Sequence, residues 1–200
     1  MADEQVQRTR RGPGRPREER VTRDVLDAVV ELVAESGMGA LTMDAVAARA
    51  GVSKPAMYRR WPTKQDLVIA AAESRIGPLV VPDLGDFRAE LHAVLTARRE
   101  AYSRPGIDRL LAGMIGAAAE EGAVREAFSA YSARVMSETR HVLERGVARG
   151  DVRADADTGA AATLVASSLL FRLVVEQRLP DEGLVDSVAD LVGRAVAARP

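Results

Sequence analysis

The stretch LTMDAVAARAGVSKPAMYRRWPTKQDL, residues 41–67, decides the fold of this chain. Its first part predicts a short helix over 43–50. The Thr42 hydroxyl is suited to accept a hydrogen bond from the first turn of that helix, and Asp44 lies where the helix dipole favours an acid. Gly51 follows at the position where a helix commonly ends in a left-handed residue.

A second helix is predicted directly after this turn. Ser53 is suited to cap it, and Pro55 lies in the first turn, where a missing N–H costs nothing. Trp61 precedes a proline and is therefore disfavoured in helical geometry, so the helix is limited to about 54–60. Two short helices in this arrangement form a helix–turn–helix motif at 42–61, which places the second helix for insertion into the DNA major groove.

The segment 54–64 carries hydrogen-bond donors and no acid. Arginine and lysine suit phosphates and guanine edges, and a tyrosine hydroxyl suits a phosphate. Thr63 and Asp66 form a capping-box pattern that starts the next helix, so Lys64 lies at a helix N-terminus that favours an anion. A helical hairpin buried in an all-helical core is the alternative. The caps and the donors together favour DNA binding. The donors are Lys54, Tyr58, Arg59, Arg60 and Lys64.

From about Arg20 to Gly77 the chain resembles the TetR (tetracycline-repressor-like) family of bacterial transcriptional regulators. The resemblance is carried by LTMDAVA at 41–47, AGVS at 50–53, Tyr58, Trp61-Pro62 and Lys64. The pair Arg59-Arg60 departs from the family pattern, so the operator sequence cannot be inferred from relatives. The resemblance implies DNA contacts by Thr42, Ser53, Lys54, Pro55, Ala56, Tyr58, Arg59, Arg60 and Lys64.

Residues 1–18 are predicted to form a flexible basic arm, because they hold too few apolar residues to fold. Their arginines alternate with glycine and proline, and no acid occurs between residues 8 and 17. The sequence GRPR at 14–17 resembles the core of an AT-hook, an extended segment that lays arginines into a narrow minor groove. A merely solvated tail is the alternative. The candidate contacts in the arm are Arg11, Arg15 and Arg17.

Composition limits the class of protein. The 200 residues contain no cysteine, which excludes disulfides and thiolate metal sites and fits a reducing, cytoplasmic setting. The net charge of −1 divides unevenly: residues 1–64 hold 12 Lys/Arg and 9 Asp/Glu, whereas 65–200 hold 16 and 20. The positive surplus lies at the end that carries the helix–turn–helix, as expected for a DNA-reading unit joined to an acidic body.

The hydrophobic spacing predicts an all-α fold of about nine helices. An N-terminal three-helix DNA-binding domain over 19–79 would be followed by a helical bundle over 80–200 for ligand binding and dimerisation. Besides the two helices of the motif, the predicted helices span about 22–36, 64–75, 84–103, 107–121, 123–149, 158–178 and 184–198.

An apolar stripe in the fifth to seventh helices fits either plain core or an effector pocket. The resemblance implies a pocket, with mostly apolar walls and a few polar anchors such as Arg98. The candidate ligand-binding residues are Leu91, His92, Leu95, Leu110, Met114, Phe128, Tyr131 and Val135.

The helix at 158–178 is apolar on all sides, so more than one of its surfaces must be covered. A monomer would expose an apolar patch, and such patches usually mark interfaces. A helix covered wholly within its own chain is the alternative. The candidate dimer residues are Leu164, Ser168, Phe171, Val175, Val188, Leu191 and Val192.

These observations predict a sequence-specific DNA-binding transcriptional regulator, a ligand-responsive homodimeric repressor. Its partners would be a palindromic double-stranded DNA operator, a second copy of itself and an unknown small-molecule effector. No enzyme motif is found, and no cofactor, metal site or membrane partner is predicted. A non-specific architectural DNA-binding protein would need a basic body rather than an acidic one, and an α-helical enzyme would need a convergent acid–base set.

Overall fold

The computed structural model describes residues 14–77, 79–120 and 122–198, which fold into nine α-helices and contain no β-strand. An isolated antiparallel bridge joins Val152 to Ala197. The predicted all-α class is confirmed. Within these residues, no helix has both the length and the apolar character needed to cross a lipid bilayer. The helices are α1 (Gly14–Ala40), α2 (Met43–Ala50), α3 (Lys54–Tyr58), α4 (Lys64–Ile76), α5 (Phe87–Tyr102), α6 (Ile107–Glu120), α7 (Gly122–Arg149), α8 (Thr158–Val174) and α9 (Glu182–Val196).

Local caps fix the helix–turn–helix as the sequence predicts. The Thr42 hydroxyl accepts from the backbone N–H of Ala45 at 3.1 Å. Gly51 ends α2 in the left-handed conformation, with φ 65°. The N–H of Gly51 donates to Ala48 and that of Val52 to Ala47, so the carbonyls at the end of α2 have partners.

The start of α4 is fixed by a complete capping box. The Thr63 hydroxyl accepts from the N–H of Asp66 at 3.1 Å, and the Asp66 carboxylate accepts from the N–H of Thr63 at the same distance. Both bonds satisfy donors that a helix N-terminus otherwise leaves open.

The helix α3 is shorter than predicted, because the chain turns after Tyr58 and the N–H groups of Arg60 and Trp61 share the Met57 carbonyl.

The helix α1 begins earlier than predicted. The prediction placed residues 1–18 in a flexible arm with GRPR at 14–17 extended, but α1 starts at Gly14. Pro16 falls in the first turn, where its missing N–H leaves no bond unmade, so a helix is compatible with this sequence. At the other end, Gly37 (φ 77°) interrupts the helix at the predicted stop.

The helices α5 to α9 form the larger part of the molecule. The helix α5 packs against α7 and α9, and α7 packs against α6 and α8. The two parts of the chain meet where α6 lies against α1. Gly113 allows that approach, because a Cβ at this position would lie 2.7 Å from the Cβ of Met38.

The helix α8 buries one face and exposes another, as its all-round apolar sequence predicts. Val165, Leu169 and Leu173 are buried in the chain's own core. The helix ends at Val174, four residues before the predicted end, because Gln177 adopts a left-handed conformation with φ 53°. Because no glycine occurs at this position, the sequence contains no sign that the helix ends there.

The prediction for α9 was wrong at two positions. Val188 and Val192 were expected at a dimer interface, but both are buried within the chain. Helical spacing places them in one inward stripe with Val185 and Val196, and α9 packs against α5. Leu191 lies outside this stripe and is exposed.

A fully buried carboxylate, that of Glu90, joins α5 to α7 and to the segment before α5. The side chain of Arg145 donates two hydrogen bonds to Glu90, at 2.9 and 3.1 Å, and Arg149 lies 3.1 Å from the other carboxylate oxygen. The N–H of Leu84 also donates to this carboxylate, at 3.0 Å. Burial raises the pKa of Glu90, but the bonds from Arg149, Arg145 and Leu84 outweigh burial and lower the pKa to about 2.

We predict that Glu90→Gln destabilises the protein at pH 7 by about 1–3 kcal/mol, because four N–H donors on three residues lose a charged acceptor. A carboxyl whose folded pKa is depressed stabilises the fold above its unfolded pKa, near 4.5, and this stabilisation is lost as the pH falls toward 2. The free energy of unfolding of the variant should therefore depend less on pH in this window than that of the wild type. Denaturant unfolding at several pH values measures both effects.

The matched control is Glu144→Gln, which removes an exposed carboxylate from α7. It should leave the stability within about 0.5 kcal/mol of the wild type. Equal stabilities of the Glu90 and Glu144 variants at pH 7 would contradict the role assigned to Glu90.

Candidate nucleic-acid interface and internal cleft

The helix α3 is anchored from behind and exposed in front. Met57 and Trp61 are buried against the other N-terminal helices, with 1% and 8% of their surface exposed. Tyr58 is 45% exposed, and Arg59 is also exposed. The outward side of the motif therefore carries predicted DNA contacts. At the start of α3, Ser53, Lys54 and Pro55 are exposed and Ala56 is half-buried.

Lys54 has an acidic neighbour that the segment 54–64 itself does not contain. Its ammonium nitrogen lies 2.7 Å from a carboxylate oxygen of Asp44, at the start of α2. Both side chains are more than half exposed, so the pair is weak and a phosphate can displace the carboxylate.

Arg60 does not face outward, and the prediction that it contacts DNA does not fit its position. Its guanidinium donates to the backbone carbonyl of Glu18 at 3.0 Å and to the hydroxyl of Thr22. It thereby ties the end of α3 to the first turns of α1. Its partners lie about 40 residues earlier in the chain, so the local pattern could not reveal this contact.

The other predicted DNA contacts in this motif differ in whether their side chains already have a bonding partner. Arg59 has no acidic partner among the described residues. The ammonium of Lys64 donates to the carbonyl of Met38 at 3.4 Å, at the N-terminus of α4. Ser53 occupies the N-cap position of α3, but its side chain makes no capping hydrogen bond, contrary to expectation. Its exposed hydroxyl remains available.

The basic arm is only partly described. Arg11 lies outside the described residues. The backbone at Arg15 and Arg17 belongs to α1, and the side chains of both residues are likewise outside what the structure describes.

A partly open cleft of about 140 Å³ lies among α6, α7 and α8, at the end of α5. Its mostly apolar walls with a few polar groups are typical of small-molecule sites. No charged side chain lines it among the described residues. Its apolar walls are formed by Leu111, Phe128, Val135, Met136, Ala166 and Leu170.

Hydroxyl groups supply the polar part of the lining. Tyr131 is 6% exposed, and its buried hydroxyl has no hydrogen-bond partner among the described residues. Burial, together with the proximity of Tyr102, raises the pKa of Tyr131, so the phenol stays protonated. The hydroxyl-bearing lining residues are Tyr102, Tyr131, Ser132, Thr163 and Ser167.

The structure separates the predicted ligand-binding residues into two groups. Phe128, Tyr131 and Val135 line the cleft. The other five do not, because their helix faces point elsewhere. Leu91, Leu110 and Met114 are fully buried core residues, Leu95 borders a separate gap beside Val135, and His92 lies at the surface, 3.0 Å from Asp186.

Sequence reasoning missed the wall that α8 contributes. On this helix the cleft is lined by Thr163, Ala166, Ser167 and Leu170. The predicted ligand-binding residues all lie on α5, α6 and α7. The apolar character of α8 on all sides was the signal. It was interpreted only as a second packing surface.

A buried ion pair connects the cleft region to the end of α4. Arg98 on α5 pairs with Glu138 on α7, and both are less than 10% exposed. Arg98 also donates to the carbonyl of Ile76 at 3.1 Å, and Glu138 accepts from the N–H of Leu79 at 2.6 Å. We call these four residues the α4 clamp. Arg98, expected as a ligand anchor, therefore belongs to this clamp and does not line the cleft.

An apolar face on α8 and α9 is exposed in the single chain. Leu164 and Phe171 are 63% and 55% exposed, and Val175 and Leu191 are each 62% exposed. Ser168 is half-buried and donates to the carbonyl of Val165. We call Leu164, Phe171, Val175 and Leu191 the α8–α9 face.

The chain matches two family models. One, described as bacterial regulatory proteins of the tetR family, covers residues 25–71, and the other, described as the tetracyclin repressor-like C-terminal domain, covers 81–192. The HTH-type transcriptional regulator YdeS of Bacillus subtilis is 31% identical to the chain over 189 residues, which is 91% of each protein.

Solved structures agree with these matches. The TetR family transcription regulator SCO0332 is 29% identical and superimposes with a TM-score of 0.70, over 88% of this chain and 98% of that one. The regulator FadR from Bacillus subtilis, solved with stearoyl-CoA, shares the fold with a TM-score of 0.72 at 16% identity, over 87% and 98% of the two chains. The chain therefore belongs to the TetR family of helix–turn–helix transcriptional regulators.

Proposed function

We propose that this regulator is a homodimeric repressor that binds a palindromic DNA operator and releases it when a small molecule enters the cleft. The observation that carries the proposal is the exposed face of α3. Met57 and Trp61 fix this helix from behind, while Tyr58 and Arg59 face outward. A rigid helix with exposed donors is what major-groove reading requires.

The exposed side chains divide into two kinds of contact. Arg59 has no acidic partner among the described residues and is the best candidate for a base edge. Thr42, Lys54, Tyr58 and Lys64 flank it and suit phosphates, which fix the position of the protein without reading the sequence. The arginines at 11, 15 and 17 would add contacts from the N-terminal side.

Dimerisation through the α8–α9 face is supported by its exposure. Four large apolar side chains on one side of a chain favour burial against a second copy. A two-fold dimer also meets the geometric need of a palindrome, because two recognition helices must lie about 34–36 Å apart to enter successive major grooves.

The response to a small molecule is supported by the cleft and by the α4 clamp. The cleft residues Tyr131 and Val135 lie seven and three residues before Glu138 on α7, so all three share one side of that helix. A ligand that shifts this side of α7 would move Glu138, and with it the end of α4. Such a ligand changes operator binding only if it binds one position of α7 and α4 more tightly than the other. FadR, solved with stearoyl-CoA, is an example of a ligand-bound protein with this fold.

A non-specific architectural role is the second candidate. Its prediction is equal affinity for operator and for unrelated DNA. The excess of acids in residues 65–200 argues against it, because only the N-terminal part carries a positive surplus. Selection of tight-binding duplexes from a random-sequence pool, followed by a comparison with unrelated DNA, tests the proposal.

We predict opposite effects for two adjacent arginines. Arg59→Ala should weaken operator binding by about 1–3 kcal/mol, through the loss of one base-pair contact. Its free energy of unfolding should stay within about 0.5 kcal/mol of the wild-type value. Arg60→Ala should lower the free energy of unfolding by about 1–2 kcal/mol, because it removes bonds to Glu18 and Thr22. Operator titration and denaturant unfolding of both variants measure this contrast.

Each variant serves as the control for the other. A large change in operator ranking with Arg60→Ala and unchanged stability would show that Arg60 leaves α1 and reads bases. Unchanged operator affinity with Arg59→Ala would contradict the orientation proposed for α3 on DNA.

We predict that Phe171→Glu yields a folded monomer at micromolar concentration with weakened operator binding. A carboxylate at the centre of the proposed interface would be buried without a partner, which costs several kcal/mol. Val80→Glu is the matched control, because Val80 is 93% exposed and lies outside the α8–α9 face. Light scattering that shows a dimer for Phe171→Glu would contradict the interface, as would a monomeric wild type.

A further inference from the structure

The lining of the cleft limits the chemistry of its ligand. None of its lining residues among the described positions carries a charge. The buried guanidinium of Arg98, which lies outside this lining, is already bonded to Glu138 and to the carbonyl of Ile76. A ligand carboxylate would therefore lose its hydration without gaining a cationic partner, so anions are disfavoured.

One lining residue offers an unused donor. The hydroxyl of Tyr131 is buried and has no hydrogen-bond partner among the described residues. An unpaired buried hydroxyl costs free energy, so an acceptor brought by a ligand would supply a bond that the free protein lacks. Because burial raises the pKa of Tyr131, this hydroxyl keeps its proton and acts as a donor.

The hydroxyls on the α8 side are already committed as donors. Thr163 donates to the carbonyl of Gly159 at 3.0 Å, and Ser167 donates to that of Leu164 at 3.3 Å. Each hydroxyl oxygen can still accept a hydrogen bond from a ligand, but it has no second proton to donate. The α8 side therefore offers a ligand acceptor no free donor, whereas the hydroxyl of Tyr131 on α7 is buried and unpaired.

We infer that the effector is an uncharged, largely apolar molecule with a carbonyl-type hydrogen-bond acceptor, which receives a bond from the hydroxyl of Tyr131. The inference rests on the proposed ligand response and adds the class of ligand to it.

Tyr131 also links this contact to the DNA-binding part of the chain. The same side chain borders a second cleft, of about 220 Å³, whose walls include Ile76 and Gly77 at the end of α4. Arg134 on α7 and Glu73 on α4 form an ion pair beside it. A ligand that repositions Tyr131 thus acts next to the junction of α4 and α7.

Three probes of nearly equal shape test the ligand class on the full-length protein. They are 2-acetylnaphthalene, which has a carbonyl acceptor, 2-ethylnaphthalene, which has none, and 2-naphthoate, which is charged. At pH 7.5 we expect the acetyl compound to bind roughly tenfold more tightly than the ethyl compound, the value of one net hydrogen bond. The naphthoate should bind more weakly than both. Calorimetric titration measures all three affinities.

Two variants locate the contact. Tyr131→Phe should abolish the difference between the acetyl and ethyl compounds and leave the affinity for the ethyl compound unchanged. Ala166→Phe, which fills the cleft, should remove binding of all three probes. An unfolding curve for each variant verifies that it is folded.

Several outcomes would overturn the inference. Tightest binding of 2-naphthoate would assign an anionic effector, and an unchanged acetyl preference in Tyr131→Phe would remove Tyr131 as the donor. No binding of any probe to the wild type would mean that the cleft does not admit this class of molecule. Operator selectivity, measured without any probe, tests the regulator function separately, so the two failures are distinguishable.

Discussion

The buried pair Arg98–Glu138 is the side-chain contact that ties α5 and α7 to the end of α4, beside the packing of α6 on α1. It joins α5 to α7, and its remaining bonds hold the carbonyl of Ile76 and the N–H of Leu79. Those two residues flank the point where α4 gives way to the linker. A buried ion pair adds little net stability compared with apolar side chains of the same size, but an unpaired member is costly. We therefore infer that the pair fixes the orientation of α4.

The cleft shares α5 and α7 with the α4 clamp and shares α8 with the α8–α9 face. On α8, Thr163 and Leu170 line the cleft, and the residues that follow them, Leu164 and Phe171, are exposed. Neighbouring residues on a helix are rotated by about 100°, so the ligand wall and the proposed dimer face are adjacent. On α7, one side carries both the cleft lining and Glu138. A displacement of α7 would therefore act on the cleft and on α4, and a displacement of α8 would act on the cleft and on the proposed dimer face.

The sequence predicted several features that depend on near neighbours, although the expected Ser53 cap is absent, and it missed the contacts between distant residues. The caps at Thr42, Gly51 and Thr63 each involve residues within five positions, and the structure has them as predicted. The partners of Arg60 and Glu138 lie about 40 residues or more away, so no local pattern could show that Arg60 braces α1. The periodicity of α9 indicated an apolar side, but it could not distinguish a surface that packs on α5 from one that meets a second chain.

We propose that the α4 clamp sets the arrangement of α4 in which the protein binds its operator. The most direct test is the operator affinity of the double variant Arg98→Met/Glu138→Leu, which replaces both charges by apolar side chains and leaves neither unpaired. We expect a several-fold loss of operator affinity with an unchanged dependence on salt, because no phosphate contact is removed. Wild-type affinity in a folded, dimeric double variant would contradict it.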